Sequence, residues 1–152
     1  MSQHLPAPAP QVTQHDAAFW AATSEGRLLV GHCRACDQWS WPPTRSFCPQ
    51  CGSDIENLEA SGHGTLYSWT VIARGFGPYK DAGPYVLAYV ALDEGPTVLT
   101  NVVNVAADRI AIYMPVSLVF ARTGDTSGSA LPRFQPADPD QRLVAGDSGS
   151  PT

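Results

Sequence analysis

Basic side chains are scarce in this sequence. Nine Lys and Arg face fourteen Asp and Glu, for a formal net charge of -5. Neutralising phosphates takes clustered Lys and Arg, so broad capture of nucleic acid or of an anionic membrane is disfavoured. No run approaches 18 consecutive apolar residues, so no membrane span is expected. The first fourteen residues, MSQHLPAPAPQVTQ, lack both Lys and Arg and any continuous apolar stretch. They do not read as a secretory signal, and a cytoplasmic location is the default expectation. Catalytic material is also sparse. His4, His15, His32 and His63 have no obvious nucleophile beside them in sequence. Asp93-Glu94-Gly95-Pro96 reads as a solvated turn and not as a catalytic carboxylate pair.

What is present begins with a fold. The hydrophobic fraction is 43% and the charged fraction 15%, enough for a packed core. Residues 1–12 are rich in Pro and Ala and read as a flexible arm. Residues 13–26 read as a helix, with Thr13 as N-terminal cap, Asp16 three residues on, and Gly26 as the stop. Phe19 and Trp20 give it an apolar patch, for packing on a neighbouring domain or for docking a partner.

Residues 27–60 hold all four cysteines, in the pattern C-x2-C-x11-C-x2-C: Cys33, Cys36, Cys48 and Cys51. Each CxxC turn points two sulfurs inward, and two such knuckles complete a tetrahedron around one metal. Zinc is the expected ion. Iron in a rubredoxin-like site and two disulfides are the alternatives. Gly52 suits the tight turn after Cys51, whereas Asp37 after Cys36 tolerates it less comfortably. A saturated four-thiolate site leaves no position for substrate, so it is expected to be structural. His32 is placed to support the first knuckle. A unit of this size has few aliphatics of its own and needs such a staple.

From Gly62 the pattern turns to strands. They are expected at 65–72, 85–92, 97–103, 116–121 and about 131–135, with a helical turn near 105–110. Five short strands with one irregular connection suit an OB-fold barrel over residues 61–136, with an open sandwich as competitor. The overall fold class is mainly β: an N-terminal helix, a rubredoxin-like zinc ribbon and a C-terminal five-stranded OB-fold barrel. Residues 137–152 read as a flexible tail.

The order of motifs resembles a known family. Phe19-Trp20, the first CxxC, Trp41-Pro42-Pro43, Cys48-Pro49-x-Cys51-Gly52 and Gly62-x-Gly64-Thr65-Leu66-Tyr67-Ser68-Trp69-Thr70 carry it. Pro84-Tyr85-Val86, Asp93-Glu94-Gly95-Pro96, Met114-Pro115-Val116 and Leu131-Pro132-Arg133-Phe134 continue it to about Pro136. The family is domain of unknown function 35. The resemblance implies a non-catalytic subunit that binds a thiolase-like enzyme, thiolase or aldolase, in acyl-CoA and lipid metabolism, steroid side-chain degradation included. A partnership with an acyl-CoA hydratase is the alternative. One departure is Tyr113, which stands where the family commonly has Gly before Met-Pro, so that turn is expected to differ.

If an acyl-CoA reaches this chain, its phosphates need cations and its other parts apolar walls. Arg74, Phe76, Tyr79 and Lys80 supply both within one Gly-rich loop. The rival readings are a nucleic-acid-binding OB module, using Tyr67, Trp69 and Tyr89 for stacking, and a free-standing enzyme.

Overall fold

The computed structural model describes residues 5–139. One helix, α1 (Ala17–Ser24), precedes eight strands: β1 (Leu29–His32), β2 (Trp39–Ser40), β3 (Glu56–Glu59), β4 (His63–Ile72), β5 (Tyr85–Leu92), β6 (Thr97–Val102), β7 (Pro115–Arg122) and β8 (Ala130–Pro136).

The helix is shorter than the sequence suggests. The Asp16 carboxylate accepts from the Thr13 N–H at 2.6 Å and from the Thr13 hydroxyl at 2.9 Å. These bonds close Thr13–Asp16 as a turn, so the helix begins only at Ala17. Its end follows the expectation. Gly26 has φ +76, its N–H reaches the Thr23 carbonyl, and the Arg27 N–H reaches the Ala22 carbonyl. That pair of bonds is a Schellman motif, in which a glycine takes the left-handed position.

The small sheet has the order β2-β1-β3, all antiparallel. β3 was not anticipated: Glu-Asn-Leu-Glu has no strand signature. It pairs with β1 from Leu29↔Glu59 to His32↔Glu56. Strands β4–β8 close a barrel in the order β4-β5-β6-β8-β7, with β7 returning to β4. The β6–β8 pair is parallel and the rest antiparallel. This is the closed five-stranded barrel expected, and it excludes the open sandwich, because closure removes both edges. Alternate residues of β5 and β6 (Val86, Ala88, Val90, Leu92, Val98, Val102) face inward and are buried, together with Leu66, Val116 and Phe134. The register of β4 on β5 shifts between Leu66 and Ser68, which leaves Tyr67 on a bulge and exposed.

Ribbon, helix and barrel share one core. Phe19, Ala22, Leu28, Leu29 and Val30 are buried in the same cluster as the barrel interior. Where ribbon gives way to barrel, the Ala60 N–H donates to the Leu28 carbonyl at 2.8 Å, and the Ser61 N–H donates to the Glu94 carboxylate at 2.6 Å. Glu94 therefore ties the β5–β6 turn to this junction instead of standing free in solvent.

Residues 1–4 of the expected arm lie outside the described residues, and the Leu5 and Pro6 carbonyls accept hydrogen bonds from Arg133 of the barrel. Leu5 is only 7% exposed. Tyr113 has φ +63, in the left-handed region that favours glycine, and the residue is 74% exposed. The expected tail reaches its first residues in pairing, since the Ala137 N–H donates to the Pro115 carbonyl. Residues 140–152 and His4 lie outside the described residues.

Candidate metal centre and the surfaces around it

The two knuckles are built alike. In the first, the Asp37 N–H donates to the Cys33 carbonyl at 2.8 Å and the Cys33 N–H to the Gln38 carbonyl at 2.9 Å. In the second, the Gly52 N–H donates to the Cys48 carbonyl at 2.9 Å and the Cys48 N–H to the Ser53 carbonyl at 2.7 Å. Asp37 and Gly52 occupy equivalent places, with φ +58 and +75. Aspartate thus meets the turn that glycine meets more cheaply, since short polar side chains are tolerated there.

The four sulfurs converge, all within 4.8 Å of one another. Cys33 and Cys51 sulfurs are 3.5 Å apart, as are those of Cys36 and Cys48. A tetrahedral zinc–thiolate site with bonds of about 2.3 Å has sulfur–sulfur edges of roughly 3.8 Å. The cluster fits that geometry. It does not contain the two disulfides considered above, because all four cysteines are free.

The sulfurs differ in how readily they ionise. The hydroxyl and N–H of Ser53 donate to Cys51 and hold it down to about 6. The Cys51 N–H, with help from the Gln50 N–H, lowers Cys48. The Gln38 N–H favours the Cys36 thiolate, but burial and the neighbouring sulfurs outweigh it and push Cys36 up to about 12. Four thiolates this close repel one another, and a divalent cation at their centre removes that conflict. Bound there, zinc supplies cross-linking and no chemistry at substrate, since all four ligands come from protein.

His32 braces the centre from outside. Its Nδ1 faces Glu56 at 3.1 Å and its Nε2 faces Asp37 at 2.7 Å. The imidazole pKa is raised, first by Asp37 and then by Glu56. Arg34 closes the chain of charges on Glu56 at 2.6 Å. The unanticipated β3 is what brings Glu56 to this place.

The helix patch divides its roles. Phe19 is buried, and its ring meets Trp20 and Trp41 edge-on, with centroids 4.9 and 5.3 Å apart. Trp20 is half-buried and lines, with Trp41, Pro42, Leu99 and Pro132, a groove of about 400 Å³ between helix, ribbon and barrel.

The residues considered for acyl-CoA lie in the loop between β4 and β5. A 3-10 turn, Gly77–Tyr79, folds it. Gly75 packs so closely that an added Cβ would stand 2.7 Å from the Tyr79 Cβ. Phe76 is 89% exposed, Arg74 and Lys80 are exposed, and Tyr79 is half-buried against Tyr85, with centroids 5.5 Å apart. The aromatics considered for nucleic acid fare less well. The cleft that Trp69 and Tyr89 line with Leu99 has no basic residue in its wall.

Some site features escape sequence reasoning. Arg133 is buried and donates to the Leu5 and Pro6 carbonyls across more than 120 residues of chain. Thr23 is buried and accepts from the Ala130 N–H at 3.2 Å, fixing the helix to β8. Neither has a local signal. Among the described residues no helix is long and apolar enough to cross a membrane.

Comparison with known proteins places these features. Residues 20–59 match the family described as ChsH2, rubredoxin-like zinc ribbon domain, and residues 58–121 match ChsH2, C-terminal OB-fold domain. A protein of Thermomonospora curvata named "Probable enoyl-CoA hydratase alpha subunit" is 37% identical over 135 residues, 88% of this chain and 41% of that one. A "DUF35 domain-containing scaffold protein" of Pyrococcus furiosus is 42% identical over 81 residues, 51% of this chain and 57% of that one. The chain thus spans less than two thirds of the length of either relative. A solved structure titled "Ltp2-ChsH2(DUF35) aldolase" superposes with a TM-score of 0.73 at 37% identity, covering 86% of this chain and 100% of that one. A DUF35 family protein of unknown function from Sulfolobus solfataricus shares the fold, with a TM-score of 0.58 at 16% identity over 83% of this chain and 87% of that one.

Proposed function

Since this chain belongs to the domain of unknown function 35 family, with a ChsH2-type zinc ribbon and OB-fold, we propose that it is a non-catalytic accessory subunit. Its partner is a thiolase-like enzyme of acyl-CoA metabolism, aldolase or thiolase, and it helps to form that enzyme's acyl-CoA site. The reading extends to cytoplasmic lipid metabolism and to a hetero-oligomer. The observation that carries it is the 37% identity and 0.73 TM-score to the protein in the Ltp2-ChsH2(DUF35) aldolase structure. The chemistry of the chain supports it, because the four-cysteine centre, the one found among the described residues, offers no open coordination position.

We divide the chain into a helical segment (13–26), a ribbon (27–60) carrying zinc on Cys33, Cys36, Cys48 and Cys51, and a barrel (61–136). Within the barrel, Arg74, Phe76, Tyr79 and Lys80 are the residues we assign to acyl-CoA. The exposure of Arg74, Phe76 and Lys80 on one folded loop supports contact with a ligand held mainly by another chain. A second reading, partnership with an acyl-CoA hydratase, draws support from the name of the Thermomonospora curvata relative.

Co-expression with thiolase-like and hydratase-like enzymes of the same organism, followed by native mass spectrometry, tests both. A stable complex with a thiolase-like chain, acyl-CoA turnover by that complex and none by this chain alone are expected. A complex with the hydratase alone would select the second reading. Robust turnover by the purified chain, free of contaminating enzyme, would end the accessory reading.

A further inference from the structure

Arg133 stands on β8 opposite Val119 of β7, while its neighbour Phe134 fills the barrel interior. Alternation along a strand puts Arg133 on the outer wall, where a guanidinium is expected in water. Instead Leu5 and Pro6 are held against it, and it is only 4% exposed. Nη1 donates to the Leu5 carbonyl at 2.9 Å, and Nη2 donates to the Pro6 carbonyl. Its Nε–H is buried with no partner among the described residues, and no carboxylate among them pairs with it. A buried charge without a counter-ion is costly, and two neutral carbonyls offset only part of that cost.

A cavity of about 350 Å³ opens at this place, bounded on one side by residues 5–7. Arg122, Arg133 and Asn104 are among its lining residues, and no Asp or Glu lines it among the described residues. Two cations without an acid stand out in a chain whose net charge is -5. Arg122 is exposed at the end of β7, so the cavity joins a buried cation to an accessible one.

We propose that this cavity binds a phosphate group, held by Arg133 and Arg122 and bordered by residues 5–7. Phosphate suits the wall better than a single carboxylate does. It carries close to two negative charges and three peripheral oxygens, enough for two guanidiniums at once, whereas one carboxylate satisfies one fork. The phosphate comes from a nucleotide-bearing ligand or from free orthophosphate, and the two sources share this chemistry. The site is separate in the sequence from the β4–β5 loop and does not rest on the accessory-subunit reading.

The test is calorimetric titration of the full, zinc-loaded chain at low ionic strength with inorganic phosphate and with adenosine 3′,5′-bisphosphate. One saturable site is expected. Arg122→Ala should weaken it about tenfold, and Arg122→Glu more, with unchanged circular dichroism, because a charge-assisted bond is lost at an exposed position. Arg133→Lys, which keeps the charge but not the fork, should also weaken it. If that variant does not fold, the two Arg122 variants decide. Tighter binding of the bisphosphate identifies a nucleotide ligand, and equal affinities identify free phosphate. Either outcome supports the site. Failure of both probes to saturate, or an affinity that both Arg122 variants leave unchanged, overturns it.

Discussion

The ring of Phe19 meets the indole of Trp41 edge-on, with centroids 5.3 Å apart and planes at 78°. Through this pair α1 grips the ribbon just after its second strand, and Phe19 is buried in the core that ribbon and barrel share. Truncation to Phe19→Ala removes the edge contacts to Trp41 and Trp20 and leaves a cavity. A loss of about 3–5 kcal/mol is expected, as for other buried aromatics. Urea unfolding monitored by tryptophan fluorescence measures it, and zinc content should stay unchanged in the folded variant.

The metal centre yields a stoichiometry. One zinc per chain is expected by elemental analysis, since four sulfurs form one tetrahedral site. Cys48→Ser or Cys51→Ser should release it, because metal binding and folding of small ribbons are coupled. Hydrogen exchange should then show lost protection in β1, β2 and β3. Full zinc content in either variant would remove that cysteine from the ligand set.

The loop between β4 and β5, proposed above to contact acyl-CoA, allows assembly and ligand binding to be tested separately. Arg74 and Lys80 are exposed, so changing both to Ala should leave the complex with the enzyme intact. Apparent affinity for a CoA ester should fall, each exposed phosphate contact contributing about 1 kcal/mol. Parallel native mass spectrometry and inhibition by free CoA give the two readings. An unchanged affinity within an intact complex would place the CoA site elsewhere.

Asp16 provides a pH dependence. Hydrogen bonds from the Thr13 N–H, then the Thr13 hydroxyl and the Trp20 indole, hold its carboxyl below the usual value of 3.8. A depressed folded-state pKa means stability that is present above the unfolded value and lost as pH falls through the folded one. Acid unfolding below about pH 4 should therefore carry a contribution from Asp16. Asp16→Asn should flatten the curve there and leave its shape at neutral pH unchanged. Identical acid limbs for both proteins would assign the transition to other groups.

Much of this architecture is legible in the sequence, and the legible parts share a cause. Strand β5 is expected at its observed bounds, because it is rich in β-branched and aromatic residues, and Val86, Ala88, Val90 and Leu92 supply its buried face. The knuckles announce themselves because metal ligation dictates both residue type and spacing. Strand β3 announces nothing. Three of its four residues are polar and none is fully buried, and only pairing with β1 makes it a strand. Arg133 misleads for the opposite reason. Its position on β8 predicts exposure, and a segment more than 120 residues away covers it. Glu94 likewise reads as part of a solvated turn, yet its carboxylate accepts from the Ser61 N–H, 33 residues away. Local pattern reports local energetics, and these three depend on partners distant in the chain. Tyr113 is a different case. The chain accepts the strain of a left-handed tyrosine there.

The single core that joins ribbon, helix and barrel turns the zinc concentration into a control on the whole molecule. A ligand that binds only the folded state stabilises it by mass action, by about 1.4 kcal/mol for each tenfold rise in free ligand above its dissociation constant. Because Leu28, Leu29 and Val30 of the metal-bearing unit pack into the same cluster as Val90 and Phe134 of the barrel, that increment is not confined to the ribbon. Zinc supply therefore sets how much damage the barrel tolerates before the fold gives way.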